Sequence, residues 1–347
     1  MRISILILCF IVLITTGLPL INSGAWWIRI FDFPRVQIAT LTLLAIILAS
    51  VFLDIKWEFK LPLLLILSVS MVYQLQFIVV YTPLCKTSAK DSNKPVAGSS
   101  LTLLVSNVLM KNEDKESFHT LVKKHNPDIV LINEPDNAWA ESIGKLDQDY
   151  PYSIKYPLEN TYGMILLSKL PLTESEVNFL VRDDVPSIFT KITLPSGSKI
   201  DFYGVHPEPP QPGTDTYERD TELLIIGKKI KETRNPTIVA GDMNDVGWSG
   251  TSKLFRKYSR LVDPREGRGF YNTYNASVPL FRFPLDHIFY SKEFGLLALK
   301  RLEDIGSDHF PFMINLNYEP DGDNTEGLEK TDADEKAEVE EKIEEGK

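Results

Sequence analysis

Three uncharged apolar runs lie within the first 81 residues, Ile3 to Ile21, Val36 to Leu53 and Leu61 to Tyr81, each 18 residues or longer. A helix rising about 1.5 Å per residue over that length approaches the roughly 30 Å hydrocarbon thickness of a bilayer. The runs predict three transmembrane helices in a region spanning residues 1–85. The alternative for the first run is a cleaved secretory signal, since Arg2 precedes it and small residues follow at Ser23, Gly24 and Ala25. Its apolar stretch is longer than a usual signal core and two further runs follow, so a retained span is the expectation. Trp26, Trp27 and Trp57 flank the runs, where amphipathic rings favour the headgroup layer.

Charge does not set the orientation of these spans. Arg2, Lys56 and Lys60 fall on one side, and Arg29, Arg35, Lys86, Lys90 and Lys94 on the other, which is too even for the positive-inside rule. A cytoplasmic N-terminus would, after three crossings, place everything beyond residue 82 outside the cytoplasm. The two cysteines, Cys9 and Cys85, lie in the first run and just after the third, which suggests neither a disulfide framework nor a metal cluster.

The net charge of −10 is nearly all in one place. Residues 319–347 hold 13 acids and four lysines, no aromatic and few aliphatic residues, and are expected to form a disordered acidic tail. The near-neutral remainder argues against sequence-independent nucleic-acid binding, which draws its affinity from neutralising phosphates.

Residues 86–100, "KTSAKDSNKPVAGSS", are polar with Pro95 and Gly98 and read as a linker. From 101 to 318 short apolar runs alternate with helical patterns. "LTLLVSN", "DIVLINE", "SIFTKITL", "KIDFYGVH", "PTIVAGDMN" and "HFPFMINLNY" are strand candidates, with helices over 114–126 and 215–233. Many strands and a few helices over about 220 residues predict two packed, mostly antiparallel sheets flanked by helices, a layered α-β-β-α sandwich.

Polar residues recur where those strands end: Asn107, Glu134, His206, Asp242 with Asn244, and Asp308 with His309. Carboxylates and carboxamides are hard oxygen donors suited to Mg²⁺, which needs only one or two protein carboxylates alongside substrate phosphate. Singly, each residue has an ordinary structural role open to it, as a turn former or an Asx-turn acid. Their order and spacing carry more weight than any one of them.

On the segments "VSNV", "LINEPD", "YGMILLSK", "GVHPEPP", "VAGDMND", "PLDHIF" and "GSDHFPF", taken in that order, the chain from about 101 to 318 resembles the endonuclease/exonuclease/phosphatase superfamily. The three spans, "HPEPP" and "GDMNDVGWS" look most similar to a bacterial membrane-anchored branch that includes teicoplanin-resistance proteins of the VanJ type. The resemblance implies a metal site at Glu134, with Asn107 beside it and Asp308 completing it, and Mg²⁺ as the ion, with Mn²⁺ as a substitute. It implies that Asp242 aligns or deprotonates the attacking water, that Asn244 and His206 hold phosphoryl oxygens, and that Asp286 orients the His309 ring. Whether Asp242 or His309 takes the proton stays open.

Two further residues are candidates for substrate contact. Arg219 could clamp a second phosphate or lie on a solvated helix face, and Tyr162 could reach a leaving-group oxygen or fill the rim. His287 alternates with Asp286 and should point to the opposite face of its strand. His119 and His125 belong to a predicted surface helix.

The expected protein is therefore a phosphoesterase of a bacterial inner membrane, its catalytic domain extracytoplasmic. It would use a divalent metal to hydrolyse a phosphate ester or pyrophosphate, lipid-linked because the spans tether it to the bilayer. A membrane-anchored nuclease is the alternative within the same superfamily. A non-catalytic binding protein on the same scaffold is a third.

Overall fold

The computed structural model describes residues 1–92, 95–322 and 330–346. The apolar runs form helices α1 (Arg2–Gly17), α3 (Arg35–Phe52) and α4 (Trp57–Val79), with a single-turn helix α2 (Trp26–Arg29) in the α1–α3 connector. All three long segments are apolar enough to cross a membrane. Ala45 and Ala49 of α3 are fully buried between the helices, where small side chains permit close approach. Polar groups inside the bundle satisfy one another: the Thr16 hydroxyl accepts from Ser70 Oγ at 2.8 Å and Gln74 Nε2 at 3.0 Å, and Arg35 pairs with Asp32 at 2.6 Å. Hydrocarbon offers no partner, so such groups are held internally.

The remainder runs β1 (Ser100–Asn107), α5 (Lys115–His125), β2 (Ile129–Asn133), α6 (Asn137–Ile143), β3 (Tyr152–Tyr156), β4 (Met164–Ser168), β5 (Leu172–Asn178), β6 (Ser187–Thr193) and β7 (Lys199–Val205). It continues with α7 (Tyr217–Thr233), β8 (Thr237–Asp242), α8 (Gly250–Ser259), β9 (Asp286–Tyr290), β10 (Phe294–Arg301), β11 (Phe312–Tyr318) and α9 (Ala333–Glu345). One sheet has the order β10-β11-β1-β2-β4-β3 and the other β5-β6-β7-β8-β9. Among the described strands, β1–β2 and β7–β8 are the parallel pairs.

Strand alternation sorts the residues into layers. Leu101, Leu103 and Val105 of β1 face Ile238 and Ala240 of β8 in the core between the sheets. Their neighbours Leu104, Val130 and Ile132 pack outward on Phe118 of α5 and Trp139 of α6. Val239 and Phe289 pack outward on Leu223 of α7 and Phe255 of α8. This is the expected four-layer sandwich.

Two expectations need correction. The described part of the expected linker, residues 86–92 and 95–100, is not a free tether: Ala89 is buried in the inter-sheet core, Ser92 N donates to the Leu296 carbonyl, and Asp91 pairs with Arg268 at 2.7 Å. The domain also sits directly on the end of the bundle where α1 and α4 finish and α3 begins. Phe33, Phe77 and Tyr81 pack with Trp248, Phe270 and Phe283, and Trp248 Nε1 donates to the Asp32 carbonyl at 2.7 Å. Polar composition hid this docking because the apolar partners come from elsewhere in the chain.

The acidic tail is likewise structured over α9, while residues 323–329 and 347 lie outside the described residues. Asp332 caps α9 in a reciprocal capping box with Glu335. Val339 and Ile343, one turn apart, are buried against α7 and α8, and Lys228 and Lys257 pair with Glu340 and Glu335. Two apolar residues suffice because the helices beneath supply the rest of the cluster and its countercharge. Val339→Asp is expected to detach α9, read as new protease cleavage within 330–346 with the remainder of the chain still resistant; unchanged cleavage would show that the helix is held by its ion pairs alone.

Candidate active site

The two parallel pairs run side by side through the middle of the sandwich, so β1, β2, β7 and β8 deliver their C-terminal ends to one edge. Inward parity carries on past the apolar residues: Asn107 follows Val105, Asn133 follows Leu131, and Asp242 follows Ala240. Asn107 Nδ2 donates to Glu134 Oε1 at 2.7 Å and to Asp242 Oδ2 at 3.1 Å. Asn133, fully buried, takes the Asp242 N–H on its Oδ1 at 3.4 Å. Asp242 Oδ1 accepts from the Asn244 N–H at 2.9 Å, an Asx-type turn that bends the chain away from β8.

This path needs unusual backbone. Gly241 has φ +143°, and a Cβ there would lie 1.9 Å from the Val205 carbonyl oxygen of β7. Glu134 and Asn244 have φ of +64° and +50°. Asn tolerates the left-handed region, whereas Glu there is uncommon and is held by its N–H bond to the Gly163 carbonyl at 3.0 Å. Strain of this kind concentrates where a side chain must be aimed.

From β9, Asp286 faces inward and its Oδ2 meets His309 Nδ1 at 2.7 Å. His309 Nε2 lies 3.5 Å from Asp242 Oδ2, and His206 Nε2 approaches the same oxygen at 3.8 Å. Burial disfavours the charged His309 ring, but Asp286 and Asp242 outweigh it and push the imidazole up to about 10, so the ring is a cation at neutral pH. Burial raises the Asp308 carboxyl, with His309 opposing. Asp242, Asp286 and His309 bring ligand atoms within 4.8 Å of one another, a grouping able to hold a metal ion.

Asp242, His309 and His206 form the floor of a cleft of about 880 Å³ that also holds Glu134, Asn244 and Asp308, with Asp286 behind the His309 ring. Tyr162 lies on its rim, 5.6 Å from the His206 ring. Arg219 does not reach the cleft. It is 2% exposed, pairs with Asp220 at 2.7 Å and Asp245 at 3.6 Å, and donates to the Asn244 carbonyl at 2.9 Å. Neither a phosphate clamp nor a solvated face, it is a buried countercharge beneath the Asp242–Asn244 turn.

His287 points away from the cleft as its parity requires, between Arg265 and the Asp245 carbonyl. Burial, then the Arg265 charge, depress it to about 3, so it is neutral. His119 is buried rather than on the surface, with its Nε2 2.9 Å from Ser142 Oγ.

Sequence reasoning passed over four supporting residues. Ser307 donates to the Asn107 carbonyl and accepts the His309 N–H, tying β1 to the last loop. Thr273 Oγ1 accepts the Asp286 N–H, and the Tyr274 ring lies 5.0 Å from His309. Asn133 and Ser307 stand inside the quoted "LINEPD" and "GSDHFPF" segments; Thr273 and Tyr274 carry no such signal.

A family model described as the endonuclease/exonuclease/phosphatase family matches residues 104–309, more than half of the chain and every strand end that feeds the cleft. The chain belongs to this family. Family members are typically phosphoester hydrolases that depend on a divalent metal. A UPF0294 protein of Vibrio cholerae is 25% identical over 224 residues, covering 62% of this chain and 76% of the relative. One of Erwinia tasmaniensis is 29% identical over 234 residues, covering 64% and 83%. Among solved structures, D. rerio TDP2 complexed with single-strand DNA product matches at 20% identity and TM-score 0.51, over 63% of this chain and 99% of that one. The human Nocturnin catalytic domain with bound sulfate matches at 18% and 0.53, over 65% and 100%. These structural likenesses carry the sandwich fold.

Outside the cleft, Glu222 of α7 is a further buried acid, accepting from Ser187 Oγ at 2.5 Å. Burial raises it from 4.5 to about 7, with Ser187 opposing and Glu208 adding. The folded chain therefore holds a proton that the unfolded chain releases above about pH 4.5. The associated stability is complete below that pH and lost as the pH rises through about 7, a change on the order of 3 kcal/mol. Glu222→Gln is expected to abolish that decline, measured as urea unfolding midpoints between pH 5 and 8. A wild-type midpoint no more pH-dependent than that of the variant would contradict the assignment.

Proposed function

We propose that this protein is a membrane-anchored, Mg²⁺-dependent phosphoesterase that hydrolyses a phosphate ester or pyrophosphate of a lipid-linked substrate by attack of water. The observation that carries the reading is the convergence of Asp242, the Asp286-held His309 cation and His206 on one point of the cleft floor. A phosphoryl group carries negative charge that repels an approaching nucleophile, so its hydrolysis needs cationic and hydrogen-bonding groups at the phosphorus and a base beside the water.

The donors present suit a hard divalent ion. Asp308 Oδ1 is buried with no hydrogen-bond partner, Glu134 lines the same cleft, and Asn107 Nδ2 holds Glu134 Oε1 in place from behind. Asp286 Oδ2 is taken up by His309 Nδ1, and a protonated imidazole has no lone pair to give a metal, so Glu134 and Asp308, with Asn107 beside them, are the better ligand set, with the Asp242 carboxylate at its border. Bound there, the ion would neutralise charge on a phosphoryl oxygen.

The chain's own groups then have distinct tasks. Asp242, fixed by Asn107 and the Asn244 N–H, aligns the water and accepts its proton. The His309 cation stabilises charge developing on phosphoryl oxygens. Asn244 uses one amide hydrogen on the Pro207 carbonyl at 2.9 Å, which holds the other toward the cleft, and His206 adds a ring N–H. Resemblance to membrane-anchored family members and docking on the spans support a membrane-bound substrate.

The reading is tested with full-length protein purified in detergent and supplied with Mg²⁺, offering polyprenyl pyrophosphate, phospholipid and plasmid DNA in parallel, with Asp242→Ala as the blank. Lipid turnover absent from the blank is expected. DNA nicking without lipid turnover would make the protein an anchored nuclease, and no turnover of any substrate would favour a binding protein.

A further inference from the structure

The cleft floor is polar, but the wall nearest the bundle is not. Ile30, Phe31, Phe33 and Pro34 of the α1–α3 connector line the same cleft as Glu134, Asp242 and His309. Facing them are Val278 and Phe281 from the loop between α8 and β9. That loop is unusually apolar for exposed chain, with Leu280 77% and Phe281 57% exposed. It also touches the first turn of a span, since Gln37 Nε2 of α3 donates to the Leu280 carbonyl at 2.7 Å. Exposed apolar residues thus stand at both ends of this wall, Val36 at the start of α3 and Leu280 and Phe281 on the loop, beside the cleft that holds the residues that would act on phosphorus.

Resting on the phosphoesterase reading above, we infer that the α1–α3 connector and the loop carrying Val278 to Phe281 form the chain-binding wall of the active site, which takes a long-chain lipid phosphate. The chain lies between Phe33 and Phe281 and leads into the bilayer, while the phosphate reaches Asp242 and His309. Water oxygen bonds to phosphorus, the ester or anhydride P–O bond breaks, and the leaving oxygen acquires a proton.

Two features favour this occupant over a nucleic acid. Among the described residues lining the cleft there is no lysine or arginine, whereas Glu134, Asp242 and Asp308 are acids, which suits one phosphoryl group at a metal rather than a polyanion. Exposed aromatic and aliphatic side chains beside a membrane span also meet lipid at no cost in hydration, whereas elsewhere on a surface they mark an unfilled contact.

The experiment uses full-length protein in neutral phospholipid vesicles with Mg²⁺, and two substrates with the same phosphate head, one on a chain of about four carbons and one of about sixteen. Each methylene taken from water is worth about fourfold in binding. The ratio of kcat/KM, long over short, is expected to exceed about a hundred in the wild type, and to fall at least about tenfold in Phe33→Ser and in Phe281→Ser. Partitioning into the vesicle is common to all three proteins, so the fall reports the wall itself, and Phe281 is exposed enough to be replaced without unfolding. A ratio near one, or a ratio that neither variant moves, would overturn the chain-binding wall while leaving the phosphoesterase reading intact. Absence of Asp242-dependent turnover on both substrates and on DNA would remove that reading and this inference with it.

Discussion

Asp242→Ala is expected to lower kcat for phosphoester hydrolysis by at least about a thousandfold, the loss typical of a positioned proton acceptor together with a charge that orders its neighbours. Asp242 is where the site meets: Asn107 Nδ2, the Asn244 N–H, and the His206 and His309 rings all approach its two oxygens. Removing the carboxylate takes away the group proposed to align water and one of the three carboxylates, with Asp286 and Asp308, that keep His309 protonated. Asp242→Asn preserves shape and the Asn244 N–H bond while removing basicity, so it separates proton transfer from architecture. Both variants should lose activity, with Asp242→Asn unfolding at the wild-type temperature. Activity within tenfold of wild type in Asp242→Asn would rule the residue out as the base.

Arg219→Leu should destabilise the protein by about 3 to 5 kcal/mol, because it would strand buried charge. The guanidinium is sealed beneath the cleft against the Asp220 and Asp245 carboxylates, which are 3% and 1% exposed. Lys342 Nζ reaches Asp220 at 3.5 Å, but around Asp245 the other side-chain partners are the Ser249 and Ser252 hydroxyls, which carry no compensating charge. The same guanidinium holds the Asn244 carbonyl, so activity should fall along with stability. Arg219→Lys keeps the charge but not the planar fork, and should recover only part of the loss. The check is denaturant unfolding in detergent beside KM. Unchanged stability with a raised KM would instead restore Arg219 as a substrate clamp.

Arg219 also shows where sequence reasoning stops. One residue after Glu218 and one before Asp220, it reads as solvated charge on a helix; the partners that bury it besides Asp220, the Asn244 carbonyl and the Asp245 carboxylate, are 25 and 26 positions away. The same holds for α9, whose two apolar residues look too few until α7 and α8 are placed beneath them. Residues 86–92 look polar and loose, yet they are drawn against β10 by the Leu296 pairing. In each case composition describes what a segment could do alone, and a partner distant in sequence decides what it does.

The chain itself carried a good deal. Local order along the sequence determined three helices long and apolar enough to cross a membrane, since each comes from a run of eighteen or more uncharged apolar residues. The strand-end residues were legible because they close apolar runs inside the segments that carry the family resemblance, and the opposite facing of Asp286 and His287 followed from period-two alternation. Only tertiary structure decided that the α1–α3 connector walls the cleft: Phe33 and Phe281 are 248 positions apart, and no periodicity relates them. Docking of the sandwich on the bundle brings them together, and burial against residues distant in the chain is the kind of information a linear pattern does not contain.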